Sequence, residues 1–221
     1  MQIRADLTRR EVVHPGQDVW TASPLPGVKR LMLDDDGAEA ARATSLVRYA
    51  VGMRFQLHAH DGGEEFLIVD GSMADEYGKY PTGTYVRNPP GSRHTPRSRA
   101  GCAMFLKLRQ FDPADRQRVV IDTHSATWVP GPVAGSSIMP LHHYRSERVA
   151  LVRWEPGVRC NAHIHVGGEE VFVLRGRYED EHGVYSAGTW VRNPPMSRHT
   201  PFSSLGCTML VKSGHLQAPL A

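Results

Sequence analysis

Two sets of four residues in this chain have the types and the spacing of a metal-binding constellation. His58, His60, Glu64 and His94 form the first, and His163, His165, Glu169 and His199 repeat it at identical intervals. Successive side chains of an extended strand alternate faces, so His58 and His60 point to one side. The Asp61-Gly62-Gly63 turn lets the chain bend and bring Glu64 toward that side. His94 follows a proline-rich turn, which suits a neighbouring strand. Three imidazoles and one carboxylate make an N/O donor set. That set suits Fe(II), Mn(II), Ni(II), Cu(II) or Zn(II) better than Ca²⁺ or Mg²⁺. Four such ligands leave one or two positions open on an octahedral ion, whereas a tetrahedral zinc would be closed and structural.

The elements that position these residues are duplicated with them. At an offset of 105 residues, His58 to Lys107 align without a gap on His163 to Lys212, and about 28 of 50 positions are identical. Such self-similarity is the mark of a repeated structural unit. Upstream, Trp20 and Leu33 match Trp128 and Leu141 at an offset of 108, so a three-residue insertion or deletion lies in between. The pattern predicts two homologous domains, 1–115 and 116–221, joined near Asp112-Pro113-Ala114-Asp115. Short apolar runs such as Phe66-Leu67-Ile68-Val69, Thr84-Tyr85-Val86 and Met104-Phe105-Leu106 alternate with Gly- and Pro-containing turns. That rhythm predicts an all-β protein of small barrels. The one stretch with helical character, Gly37–Ala43, falls in the region of the length change.

Composition sets the outer bounds. The 221 residues are 40% hydrophobic and 22% charged, ordinary values for a globular protein with a core. Lys and Arg number 26 against 23 Asp and Glu, a formal charge of +3, and no basic block appears, which argues against nucleic acid as a partner. Three Cys (Cys102, Cys160, Cys207) make no disulfide framework and suit a reducing compartment. With no apolar leader at the start and no long apolar run, the expectation is a cytoplasmic protein with no membrane partner.

These residues resemble the cupin superfamily. Gly52-x5-His58-x-His60-x3-Glu64-x6-Gly71 fits its first motif, and Gly83-x5-Pro89-x-Gly91-x2-His94 fits the second up to its His. The C-terminal copy has Gly157, His163, His165, Glu169, Gly176, Gly188, Pro194 and His199, with Met196 in place of the turn glycine. Ser98 and Ser203 stand where the motif ends in Asn. More narrowly, the Gly-Gly-Glu-Glu and Val-Arg-Asn-Pro-Pro-x-Ser-Arg-His-Thr-Pro strings resemble the cupin domain of the anti-sigma factor ChrR and its relatives, in two copies. The resemblance implies two tandem cupin-type antiparallel β-barrels, a bicupin. It also implies two divalent-metal sites built from the eight residues above, Fe(II) favoured and Zn(II), Ni(II) or Mn(II) as alternatives. The first 45 residues have no Cys and only His14, so the resemblance carries no sigma-factor binding with it.

Other residues receive quieter expectations. Glu65 and Glu170, next to the ligand Glu, turn away from the metal and suit salt bridges with Arg87 and Arg192. Arg93 and Arg198 suit surface ion pairs, with an anionic substrate as the alternative. Cys102 and Cys207 read as small buried hydrophobes, and Tyr85 and Trp190 as core or pocket wall. Arg54, Gln56, Arg159 and Asn161 share parity with the His pairs and would line the cavity. No separate catalytic base stands out, so the metal ligands carry the chemistry. The leading expectation is a mononuclear non-haem dioxygenase acting on a small diketone, enol or hydroxyketone. The alternative is a ChrR-like sensor that responds to metal, ligand or oxidative stress without turnover. A homodimer of such chains is compatible with either.

Overall fold

A computed structural model describes residues 2–17 and 19–216. The chain forms two units, residues 1–5 with 18–126 and residues 6–17 with 127–221. Among the described residues all regular structure is strand, and every pairing is antiparallel. No helix is long and apolar enough to cross a membrane.

The first unit is built on a sheet ordered β13–β9–β7–β12–β4–β3–β2. Its strands are β2 (Thr21–Ala22), β3 (Val28–Asp35), β4 (Ala43–Tyr49), β7 (Glu64–Ala74), β9 (Thr84–Asn88), β12 (Cys102–Leu108) and β13 (Val119–Asp122). Short strands β5 (Met53–Arg54), β8 (Lys79–Pro81) and β11 (Arg97–Ser98) extend its far end, while β6 (His58–His60) and β10 (Ser92–His94) form a separate two-stranded ribbon. The second unit repeats the scheme with β1 (Glu11–Val13), β14 (Val129–Pro130), β15 (Ser136–Tyr144), β16 (Glu147–Trp154), β18 (Glu169–Asp180), β19 (Gly183–Ser186), β20 (Trp190–Asn193) and β22 (Cys207–Ser213). Its ribbon pairs β17 (His163–His165) with β21 (Ser197–His199).

The edge strands are exchanged. β1, from the start of the first copy, pairs with β20 of the second unit, with Glu11 opposite Arg192 and Val13 opposite Trp190. β13, at the start of the second copy, pairs with β9 of the first unit, with Val119 opposite Arg87 and Ile121 opposite Tyr85. The two registers are equivalent under the 108-residue offset.

Each unit has its own apolar core. Phe66, Ile68, Met104 and Leu106 are central in one, and Val171, Val173, Met209 and Tyr178 in the other. Tyr85 and Trp190 are fully buried, and Cys102 and Cys207 are buried. Burial pushes both thiols up, Cys207 to about 11. Trp20 and Trp128 each lie under an arginine, Arg48 at 4.1 Å and Arg153 at 4.0 Å.

The length change falls in a hairpin, and no helix forms at 37–43. β3 and β4 are joined by a seven-residue loop, 36–42, in which the Asp35 and Asp36 carboxylates accept hydrogen bonds from the Gly37 and Ala38 N–H groups. These local bonds compete with a helix for the same amides. In the second unit the equivalent hairpin turns tightly at Arg145-Ser146.

Two motif glycines are required by packing. A Cβ at Gly71 would lie 2.3 Å from the Gly101 carbonyl oxygen, and one at Gly176 would lie 2.0 Å from that of Gly206. Both also adopt positive φ, 71° and 74°.

Candidate functional site

The ribbons deliver the histidines. In β6 and β10, His58 lies opposite His94 and His60 opposite Ser92, which sets three rings on one face. Their ring centroids form a near-equilateral triangle with sides of 4.9, 4.9 and 5.0 Å. The second ribbon gives 4.8, 4.8 and 4.9 Å for His163, His165 and His199. Glu64 and Glu169 arrive from the first residues of β7 and β18. Glu64 Oε2 is 3.6 Å from His60 Nε2 and 3.5 Å from His94 Nε2. Glu169 Oε2 is 3.5 and 3.9 Å from the equivalent atoms of His165 and His199. All eight residues singled out in the sequence are thus gathered, four to a centre.

Hydrogen bonds outside each cluster fix the tautomers. His58 Nδ1 donates to the Gln56 carbonyl and His163 Nδ1 to the Asn161 carbonyl, both at 2.9 Å. A carbonyl only accepts, so the Nε2 lone pairs of these rings are free to face inward. His94 Nδ1 is 3.2 Å from the Asp75 carboxylate and His199 Nδ1 3.5 Å from that of Asp180. The Nε2 atoms of His60 and His94 converge to 2.9 Å, and those of His165 and His199 to 2.8 Å. Three inward imidazole nitrogens within 4.8 Å of one another, beside a carboxylate, fit a divalent transition ion.

Electrostatics favour a neutral ring at His60 and at His165. Burial holds His60 and His165 below the usual histidine value, against the pull of Glu64 and Glu169. At His94 burial acts the same way, but the hydrogen bond to Asp75 and the charges of Glu64 and Asp75 outweigh it, and the net direction is upward. Burial would raise Asp180 as well; bonds from His199, Tyr185 and the His182 N–H, with the Arg10 charge, hold it down at about 2.

A further layer of residues was missed from sequence. Asn88 Nδ2 donates to Glu64 Oε2 and Asn193 Nδ2 to Glu169 Oε2, each at 3.2 Å. Tyr80 donates to Asp75 Oδ1 at 2.8 Å and Tyr185 to Asp180 Oδ1 at 2.7 Å. The available signal was inter-copy identity: these pairs are unchanged at the 105-residue offset, while Glu-Tyr-Gly-Lys at 76–79 became Glu-His-Gly-Val at 181–184.

The two centres differ in their walls. The second faces a cavity of about 400 Å³ whose lining includes Ile138, Val152, Trp154, Cys160, Val171 and Met209, with His163, Glu169 and His199 at one side. The first unit carries Phe55 where the second has Cys160, and Phe66 where it has Val171. The Phe55 ring lies 4.8 Å from Tyr49 and 5.7 Å from His58, so it takes up space beside the ligand ring.

Asn161 lines the cavity, whereas Arg54 and Gln56 are exposed and Arg159 turns out over the Phe202 ring at 4.3 Å. Only single bridges or two-residue strands precede the ribbons, so strand parity does not carry through. Arg93 and Arg198 are exposed, and among the described residues neither forms an ion pair. Glu65 does pair with Arg87, at 2.9 Å, but the pair is buried and shared with Asp115 at 2.8 Å. His215 sits 2.9 Å from Glu170. Ser98 and Ser203 donate to the carbonyls of Ser72 and Arg177.

Comparison with known proteins fits this geometry. Residues 8–112 and again 116–217 match the ChrR Cupin-like domain. The chain belongs to this family, in two copies. No curated protein matches it in sequence. Among solved structures it is similar to a candidate dioxygenase from Nostoc punctiforme, with 13% identity, a TM-score of 0.79, and coverage of 96% of this chain and 85% of the other. The protein Ylba from E. coli shares 14% identity at a TM-score of 0.76, covering 98% and 95%. The pirin YhhW from E. coli, solved with nickel(II), shares 10% at 0.68, covering 93% and 98%. At these identities the likeness establishes the cupin fold.

Proposed function

We propose that this metal-binding bicupin is a mononuclear non-haem dioxygenase whose substrate binds at the second centre. The substrate class is a small diketone, enol or hydroxyketone. The observation that carries this reading is the apolar cavity of about 400 Å³ opening on His163, Glu169 and His199. A pocket of that size matches a small molecule, and its mix of apolar wall and few polar groups is that of a ligand site.

In the proposed site, His163, His165, Glu169 and His199 hold the metal. Fe(II) held there would supply Lewis acidity toward the substrate and redox chemistry with dioxygen. The chain does the rest. Val152, Val171 and Met209 take the hydrocarbon part and keep water from it. Asn161 offers an amide to orient an oxygen, and Glu169, the one carboxylate lining the cavity, is placed to accept the acidic proton of the enolisable substrate. Burial and the nearby Glu169 charge push the Tyr178 phenol far up, so it stays protonated, with its oxygen 3.3 Å from His199 Nδ1. For a β-diketone, C–C cleavage with O2 gives a carboxylic acid and a 2-oxoaldehyde, which together contain both added oxygen atoms.

A sensor without turnover is the other reading that the family description allows; a small-molecule cavity serves either, and oxygen uptake separates them. The test is oxygen uptake by anaerobically purified, Fe(II)-loaded protein offered acetylacetone, benzoylacetone and hydroxyketones. Stoichiometric O2 consumption with acid release is expected. Loaded protein that consumes no oxygen with any of them would overturn the enzyme reading.

A further inference from the structure

Each centre is braced by an arginine that the other copy supplies. Arg10 immediately precedes β1 and packs within the second unit. Its Nε donates to Asn193 Oδ1 at 3.0 Å, its Nη2 lies 3.2 Å from Asp180 Oδ2, and the same nitrogen donates to the Tyr185 hydroxyl. Arg118 immediately precedes β13 and does the same in the first unit, with Nε to Asn88 Oδ1 at 3.3 Å and Nη2 to the Tyr80 hydroxyl at 2.9 Å. The two are equivalent under the 108-residue offset, so the strand exchange carries each arginine to the opposite centre.

What these arginines touch is specific. Asn193 and Asp180 are the groups that hold Glu169 and His199; Asn88 and, through Tyr80, Asp75 hold Glu64 and His94. One planar guanidinium therefore spans the supports of two different ligands. Its fixed fork of donors suits that task, where a lysine would offer a single point charge. Such outer partners orient ligands, and losing one typically costs about 10–100-fold in metal affinity.

We propose that Arg10 and Arg118 are positioning residues for the metal centres, acting crosswise: Arg10, from the first copy, for His163, His165, Glu169 and His199, and Arg118, from the second copy, for His58, His60, Glu64 and His94. Neither copy completes its own centre. The proposal stands on metal binding alone and is independent of the dioxygenase reading.

The test is Co(II) titration of the full chain, read by the visible absorption of the bound ion. It uses His58→Ala/His60→Ala, which keeps the second centre, and His163→Ala/His165→Ala, which keeps the first. Arg10→Met is expected to weaken Co(II) about tenfold and alter its spectrum in the former background, with less than a twofold change in the latter. Arg118→Met is expected to do the reverse. Arg10→Lys and Tyr185→Phe, which keep the bulk of the network, should give smaller losses at the second centre only. Equal losses at both centres would show a general effect on folding and overturn the proposal. So would unchanged affinity and spectrum at the centre each arginine is said to serve.

Discussion

The first and second units hold the same four ligand types in nearly the same triangle, yet they differ in the residues behind the triangle. Phe55 and Phe66 stand where the second unit has Cys160 and Val171, and the second pair lines a cavity of about 400 Å³. The rims differ too. The outward face of the second ribbon shows Ile164, Val166 and Met196, whereas the first has Ala59, Asp61 and Gly91 at those places. Met196 even holds φ at 65°, where Gly91 takes 83° without penalty. Identical ligand sets therefore stand against different walls.

The largest test of that contrast is Val171→Phe, which gives the second unit the first unit's residue. Oxygen uptake should fall at least 100-fold while two equivalents of metal remain bound by plasma mass spectrometry. Uptake within a few-fold of the native protein would mean the cavity does not hold the substrate. Asp75→Asn and Asp180→Asn probe the parts the centres share. Each should weaken metal at its own centre by about 10–100-fold, because each removes the carboxylate that fixes one imidazole.

Thiol labelling sharpens the contrast at smaller amplitude. Cys160 is half-buried and lines the cavity, whereas Cys102 and Cys207 are buried; burial raises all three thiols. An alkylating reagent should modify one Cys in the native chain at a rate at least tenfold above the other two, and all three after denaturation. The smallest expected effect is Met196→Gly, which removes a left-handed non-glycine worth about 1 kcal/mol. That would raise Tm by about 2–4 °C for a chain of this size, measured by calorimetry.

Much of this was legible in the sequence. The ligand spacing, the 105-residue repeat and the β rhythm follow from period-two geometry and turn residues, and all three describe the folded chain. The exchange of β1 and β13 was not legible. Two homologous sheets offer nearly the same edge to either strand, and only the connecting geometry decides which is taken. The roles of Asp75, Asn88 and Arg118 were not legible for a related reason, since each reaches a partner 19 to 30 residues away in sequence. The helical expectation at 37–43 gave way to a loop because Asp35 and Asp36 bond the following amides themselves. The difference between Phe66 and Val171 was in plain view but silent until the fold placed Val171 in the cavity wall and Phe66 in the core of the first unit.

The most direct test of the proposal that substrate is turned over at the second centre compares two single-centre proteins loaded with Fe(II) under nitrogen. Oxygen uptake with a β-diketone is followed for His58→Ala/His60→Ala and for His163→Ala/His165→Ala, each normalised to bound iron. Turnover is expected in the first protein and none above background in the second. Turnover in the second protein, with its iron confined to the phenylalanine-walled centre, would contradict that expectation.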